Sequence, residues 1–215
     1  MELKKNKELL IALFTVLLVL SNILSVKLIP IGTVLLPGGI ICFALAFLIS
    51  DVINELYGKQ AGKQTIYIGF IAQIFCSCLI ALTTLLPGTD PETTQAFNLI
   101  MKVNFWSVLA SLISFFCASF VDLKVFHYLK GCLKPKYKWV WNNLSTIIGQ
   151  ILDTVIYVSI AFGIGHSLFA SQDAFNILSQ MILGQIVVKV ILALLDTPLF
   201  YLLTKEKKSN AIKGD

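Results

Sequence analysis

From Leu9 to Leu203 the sequence is a succession of apolar runs, each about as long as a bilayer is thick, and the breaks between them hold most of its charge. A helix that spans a membrane needs about 20 mostly apolar residues, because lipid offers its backbone no hydrogen-bond partner. Six such runs can be placed, at about residues 9–29, 40–57, 64–86, 103–128, 139–165 and 174–203. The chain is 57% hydrophobic and only 13% charged, where a soluble domain carries about 25% charged residues. A soluble fold of 215 residues cannot hide that much apolar surface. The expected fold is therefore an all-α integral membrane protein, one domain over residues 1–215, built as a bundle of six transmembrane helices. The alternating ten-residue units of a membrane barrel are absent.

The lysines give this bundle a direction. The run that follows Lys4, Lys5 and Lys7 starts like a signal peptide, but it continues to about Ile29 with no small-residue cleavage site after Leu20, so it reads as the first helix. Fourteen of the seventeen basic residues lie at the N-terminus, between runs two and three, around the break between runs four and five, or in the C-terminal tail. Cytoplasmic loops are enriched in Lys and Arg, which puts both termini in the cytoplasm, and Trp139 and Trp141 suit an interface. All seventeen basic residues are lysine, so no guanidinium is available to clamp a phosphate. Their placement at run ends, rather than on one basic face, excludes a nucleic-acid partner. Residues 30–39 and 87–101 are rich in Gly, Pro and Asp and are expected to be loops, the second the longest in the chain.

Several motifs carry nothing. Cys76-x-Cys78 lacks a second pair or nearby histidines, so packing explains it better than zinc. The stretch from Gly58 to Gln64 departs from a phosphate-binding loop in spacing and in its last residue. His127 and His166 fall at opposite membrane ends, and no hydrolase or metalloprotease signature occurs. No metal, cofactor or catalytic group is expected.

Polar residues inside the apolar runs are the informative ones. An ionisable group at bilayer depth costs roughly 2.5–3.5 kcal/mol, so it normally faces the bundle interior or a wet cavity. In run five, Thr146, Gln150, Asp153 and Tyr157 share one helical face. In run six, Lys189 and Asp196 share a face, and Lys189 should be held charged by Asp153 or Asp196. Run two ends in Asp51, Asn54 and Glu55. Asn22, Gln73, Asn143 and Gln185 complete the candidate binding residues. Ala110, Ser114 and Ala118 recur every four residues, a face that lets helices approach closely. Asp51, Tyr57, Lys59 and Lys63 align at one offset with Asp122, Tyr128, Lys130 and Lys134, a weak internal repeat of the kind that transporters use.

Taken together, these stretches resemble the queuosine precursor transporter family within the vitamin uptake transporter group. The matching residues are Ser21-Asn22 with Lys27, the run from Ser50 through Asp51, Asn54 and Glu55 to Gly58, Asn143 to Thr146, Gln150 to Thr154, and Lys189 with Asp196-Thr197-Pro198. The resemblance implies a bacterial inner-membrane importer of deazaguanine precursors of queuosine, such as cyano-deazaguanine or queuine, working as a self-sufficient secondary transporter. The group is also similar to substrate-binding subunits of energy-coupling-factor importers. In those the first helix often has alanines four apart for docking, whereas here it has only Ala12. The implied partners are a small deazapurine and the lipid bilayer, with homo-oligomerisation left open. For such a base, Asp153 would take the ring N–H and amino donors while Gln150 donates to the carbonyl.

Overall fold

In the computed structural model, residues 6–25, 27–31, 34–101, 105–164 and 173–204 are described. The first helix, α1 (Lys7–Leu24), starts where the Asn6 side chain accepts from the Leu9 amide at 3.2 Å. It buries Leu10, Phe14, Leu18 and Ser21, one face at helical spacing. It stops about a turn before the expected residue 29, because the chain turns into a hairpin of β1 (Leu28–Ile31) paired antiparallel with β2 (Val34–Pro37). The loop expected over residues 30–39 is thus largely strand. Ile29, Ile31 and Val34 are branched residues suited to extended backbone, and the Gly38 amide donates to the Lys27 carbonyl at 2.7 Å to close the hairpin base.

Runs two and three lie in one element, α2 (Ile40–Leu85), with 46 residues. At 1.5 Å per residue a straight helix of that length would be about 70 Å long, more than twice the roughly 30 Å of a hydrocarbon core. It is not straight. Gly58 has φ 80° and ψ 179°, a conformation essentially reserved for glycine. The two halves run in opposite directions along α1. In the first half Gly39 abuts Ser21 and Ala46 packs with Phe14 and Leu18; in the second, Gln64 accepts from Lys7 Nζ at 2.7 Å and Gly69 abuts Phe14 and Leu18.

The long loop expected over residues 87–101 also holds a helix, α3 (Pro91–Met101). Asp90 caps it by accepting from the Thr93 amide at 2.7 Å, and Pro91 opens it with a preset φ. None of its residues is buried. Beyond it come α4 (Phe105–Cys132), which runs past the expected residue 128, α5 (Lys138–Val158), extended by a π-helical turn over Ser159–Ile164, and α6 (Ala174–Thr204). His166, Lys4, Lys5, Lys102 and the C-terminal lysines lie outside the described residues.

Side-chain pairs give the directions of the helices. Asp51 meets Asp122 and Glu55 meets Lys130, so the first half of α2 runs parallel to α4. Lys189 meets Asp153 and Thr197 meets Asn143, so α6 runs antiparallel to α5. Lys7, Gly58, Lys130, Lys138 and Thr204 consequently gather at one end of the bundle. Ala110, Ser114 and Ala118 are buried, and a Cβ on Gly149 of α5 would press on Asp122 and the Ala118 carbonyl. Among the described residues five helices are long and apolar enough to cross a membrane. The sequence suggested six runs, and the counts differ because α2 contains two of them. Ile41, Ile71, Phe75, Leu82, Leu183 and Leu195 are exposed on the outside of the bundle while the polar side chains are inside, the arrangement of an all-α membrane protein.

Candidate functional site

The face of α5 that carries Thr146, Gln150 and Asp153 is buried where α5 packs on α4 and α6, and it reaches α2 through Thr146 and Asp51. Burial of so many polar groups requires partners, and most have them. Lys189 Nζ donates to Asp153 Oδ2 at 2.7 Å and to Thr154 Oγ1 at 3.0 Å, and lies 5.1 Å from the Phe43 ring centroid. Of the two carboxylates within sequence reach of Lys189, Asp153 holds it. Thr146 Oγ1 donates to Asp51 Oδ2 at 2.7 Å, with the Asn142 carbonyl at 2.9 Å as its alternative acceptor. Thr197 Oγ1 donates to Asn143 Oδ1, and Asn143 Nδ2 to the Trp139 carbonyl, both at 2.9 Å.

Between α2, α5 and α6 lies a narrow cleft walled by Phe43, Thr146, Gln150, Lys189 and Asp196 and by aliphatic neighbours. Two of its polar groups are uncommitted. Gln150 Oε1 is buried without a hydrogen-bond partner, and Asp196, half-buried, has no hydrogen bond or ion pair among the described residues. An unpaired amide oxygen in a membrane interior costs on the order of 1–3 kcal/mol, so it marks a place where a ligand or water belongs. The cleft has room for about one water molecule.

The other candidates distribute as follows. Lys189, Gln150 and Asp196 line the cleft; Asp153 stands behind Lys189, and Asp51 is reached through Thr146. Asn22 lies elsewhere, accepting from Ser111 Oγ at 2.9 Å. Glu55 is engaged by Lys130 at 2.7 Å and Lys138 at 3.0 Å, an ion-pair cluster tying α2, α4 and α5 together at the lysine-rich end. Asn54 and Gln73 are buried with unpartnered amide atoms, and Gln185 is half-buried; none of the three borders the cleft. Phe43 and Asp122 were not among the candidates. Phe43 looks like an ordinary core aromatic in sequence, but the repeat offset that pairs Asp122 with Asp51 was a signal for the second.

The sequence matches the family described as "Putative vitamin uptake transporter" over residues 37–203. The chain belongs to that vitamin uptake transporter family. The matched region of the family covers every residue lining the cleft. A curated relative, the "Probable queuosine precursor transporter" of Bacillus subtilis (strain 168), is 24% identical over 152 residues, which is 67% of this chain and 64% of the relative. The match thus spans just under two thirds of that relative's length. No solved structure matches the chain at a significant level.

Proposed function

We propose that this chain imports deazaguanine precursors of queuosine, with cyano-deazaguanine and queuine as the cargo, across a bacterial inner membrane. The observation that carries the reading is the pair of uncommitted groups in one cleft, Gln150 Oε1 and the Asp196 carboxylate, beside the flat Phe43 ring. A guanine-like edge offers a ring N–H and an amino group side by side with a carbonyl. Asp196 and Gln150 Oε1, both acceptors, take the two donors, the Thr146 hydroxyl that lines the same cleft donates to the carbonyl, and an aromatic ring covers a face. Because Asp153 is occupied by Lys189, Asp196 takes the recognition role expected of Asp153, and Asp153 keeps Lys189 in position. The relative's name supports the same cargo.

A purine-sized base does not fit the cleft as it stands, so transport requires α6 to swing from α2. Pro198, two residues past Asp196, removes the backbone donor for the Leu194 carbonyl and makes a bend there inexpensive. The two halves of α2 cross the membrane separately, giving six crossings with both ends cytoplasmic, since the end that gathers Lys7, Lys130 and Lys138 is the positive one. One chain lines the whole cleft, so recognition needs no homo-oligomer. The test is queuosine content of tRNA in a synthesis-deficient bacterium that lacks any energy-coupling-factor ATPase. Carrying this gene and fed cyano-deazaguanine or queuine, it should recover the modification. No recovery without an added ATPase would favour a substrate-binding subunit, and no recovery with one would refute the cargo.

A further inference from the structure

Asp51 of α2 and Asp122 of α4, aligned with each other by the weak sequence repeat, meet inside the bundle about one turn from its lysine-rich end. Each is 1% exposed, and their carboxyls lie within hydrogen-bonding reach of one another. Among the described residues no lysine reaches them: Lys189 is held by Asp153, and Lys130 and Lys138 by Glu55 one turn along α2. From α5 only hydroxyls approach, Thr146 Oγ1 on Asp51 Oδ2 and Ser145 beside Asp122. From α6 the charged group whose field reaches Asp51 is a third carboxylate, Asp196. The described part of α1 brings only Lys7 and Glu8, in its first turn, and neither acts on the pair. The Oδ1 atoms of both aspartates are buried without a donor. Two carboxylates in contact, out of water and without a cation, repel, and a single proton between them supplies the missing donor.

We propose that Asp51 and Asp122 form a dyad that carries one proton and couples its passage to that of the cargo. This rests on the transport reading above. Thr146 is the link, because it lines the cleft on one side and donates to Asp51 on the other. It has one hydroxyl proton. A base carbonyl that accepts this proton takes it from Asp51, and the proton already shared with Asp122 becomes Asp51's donor and is held more tightly, so a base entering from the outside binds the protonated dyad. On the cytoplasmic side the base leaves, Thr146 returns to Asp51 and loosens the shared proton, which passes to the cytoplasm and is replaced from the outside before the next base binds.

Two measurements on purified protein test this. In vesicles with an inward proton gradient, the unaltered protein should accumulate radiolabelled queuine. Asp122→Asn, whose amide donates to Asp51 as the shared proton would, should keep queuine exchange but lose gradient-driven accumulation by about tenfold or more. Infrared spectra without any base should show the C=O stretch of a protonated carboxylic acid at neutral pH, lost in both Asp51→Asn and Asp122→Asn. Gradient-driven accumulation unimpaired in Asp122→Asn, or absence of that band in the unaltered protein, overturns the dyad. A band without binding of any deazaguanine base refutes the cargo reading, and the coupling half of the proposal falls with it.

Discussion

Lys189 Nζ and Asp153 Oδ2 lie 2.7 Å apart with both side chains nearly excluded from solvent, joining α6 to α5 at the back of the cleft. Breaking one side of such a pair leaves an uncompensated charge in low dielectric, at about 3–5 kcal/mol. Lys189→Met should therefore lower the thermal midpoint of the purified protein markedly. Adding Asp153→Asn should restore most of the loss, whereas adding Asp196→Asn should not. Rescue by Asp196→Asn instead would mean that Lys189 has the other partner.

Gly58 bends α2 with a backbone that other residues adopt at a cost of about 1–3 kcal/mol. A Cβ there meets nothing within 4 Å, so Gly58→Ala should destabilise through backbone strain alone. Gly131 also has open space around a Cβ, but it sits in helical α4. Gly131→Ala should be neutral or stabilise by about 0.5–1 kcal/mol. Equal effects of the two substitutions on thermal unfolding would remove the argument for a glycine-specific reversal.

Much of this architecture was legible in the sequence, and the exceptions have physical causes. Apolar run length marked the helices, and the polar face of α5 marked one wall of the candidate cleft, because buried polar groups at helical spacing survive in lipid only when partnered. The partner of Lys189 was not decidable: Asp153 and Asp196 are each sterically available until α5 and α6 are docked side by side. The hairpin over residues 28–37 and the helix α3 were read as loops, because Gly and Pro punctuate both. In each case those residues shape the ends of regular structure instead. The break between runs two and three lies at residues 58–63 in the sequence, and the reversal falls there at Gly58; only its positive φ, which depends on the packing of both halves against α1, was not legible.

Asp90 lies outside the membrane-spanning segments, and hydrogen bonds from Thr93, side chain first and then backbone, hold its carboxyl below the usual carboxylate range. A lowered folded-state value means that the ionised form supports the cap, so its contribution is complete above the ordinary Asp value of about 3.9. It is lost as pH falls through the depressed value. Amide exchange at the start of α3 should accelerate only in that acidic window, and Asp90→Ala should show the faster exchange at neutral pH. Identical exchange in the two proteins would dismiss the cap.

Cys132 is exposed at the end of α4 near the lysine cluster. In a variant that retains it as the sole cysteine, a membrane-impermeant maleimide should label it only in inverted vesicles. Labelling in intact cells would invert the orientation.

The central claim is that Gln150 and Asp196 read a guanine-like edge. Equilibrium binding of queuine or cyano-deazaguanine to the purified protein, with no gradient present, addresses it without any contribution from energy coupling. Asp196→Asn turns one acceptor into a donor and should weaken binding by about 1–3 kcal/mol, roughly 5- to 150-fold, with Gln150→Ala falling in the same range. Unchanged affinity in both variants, alongside tight binding by the unaltered protein, would contradict the account and move recognition out of this cleft.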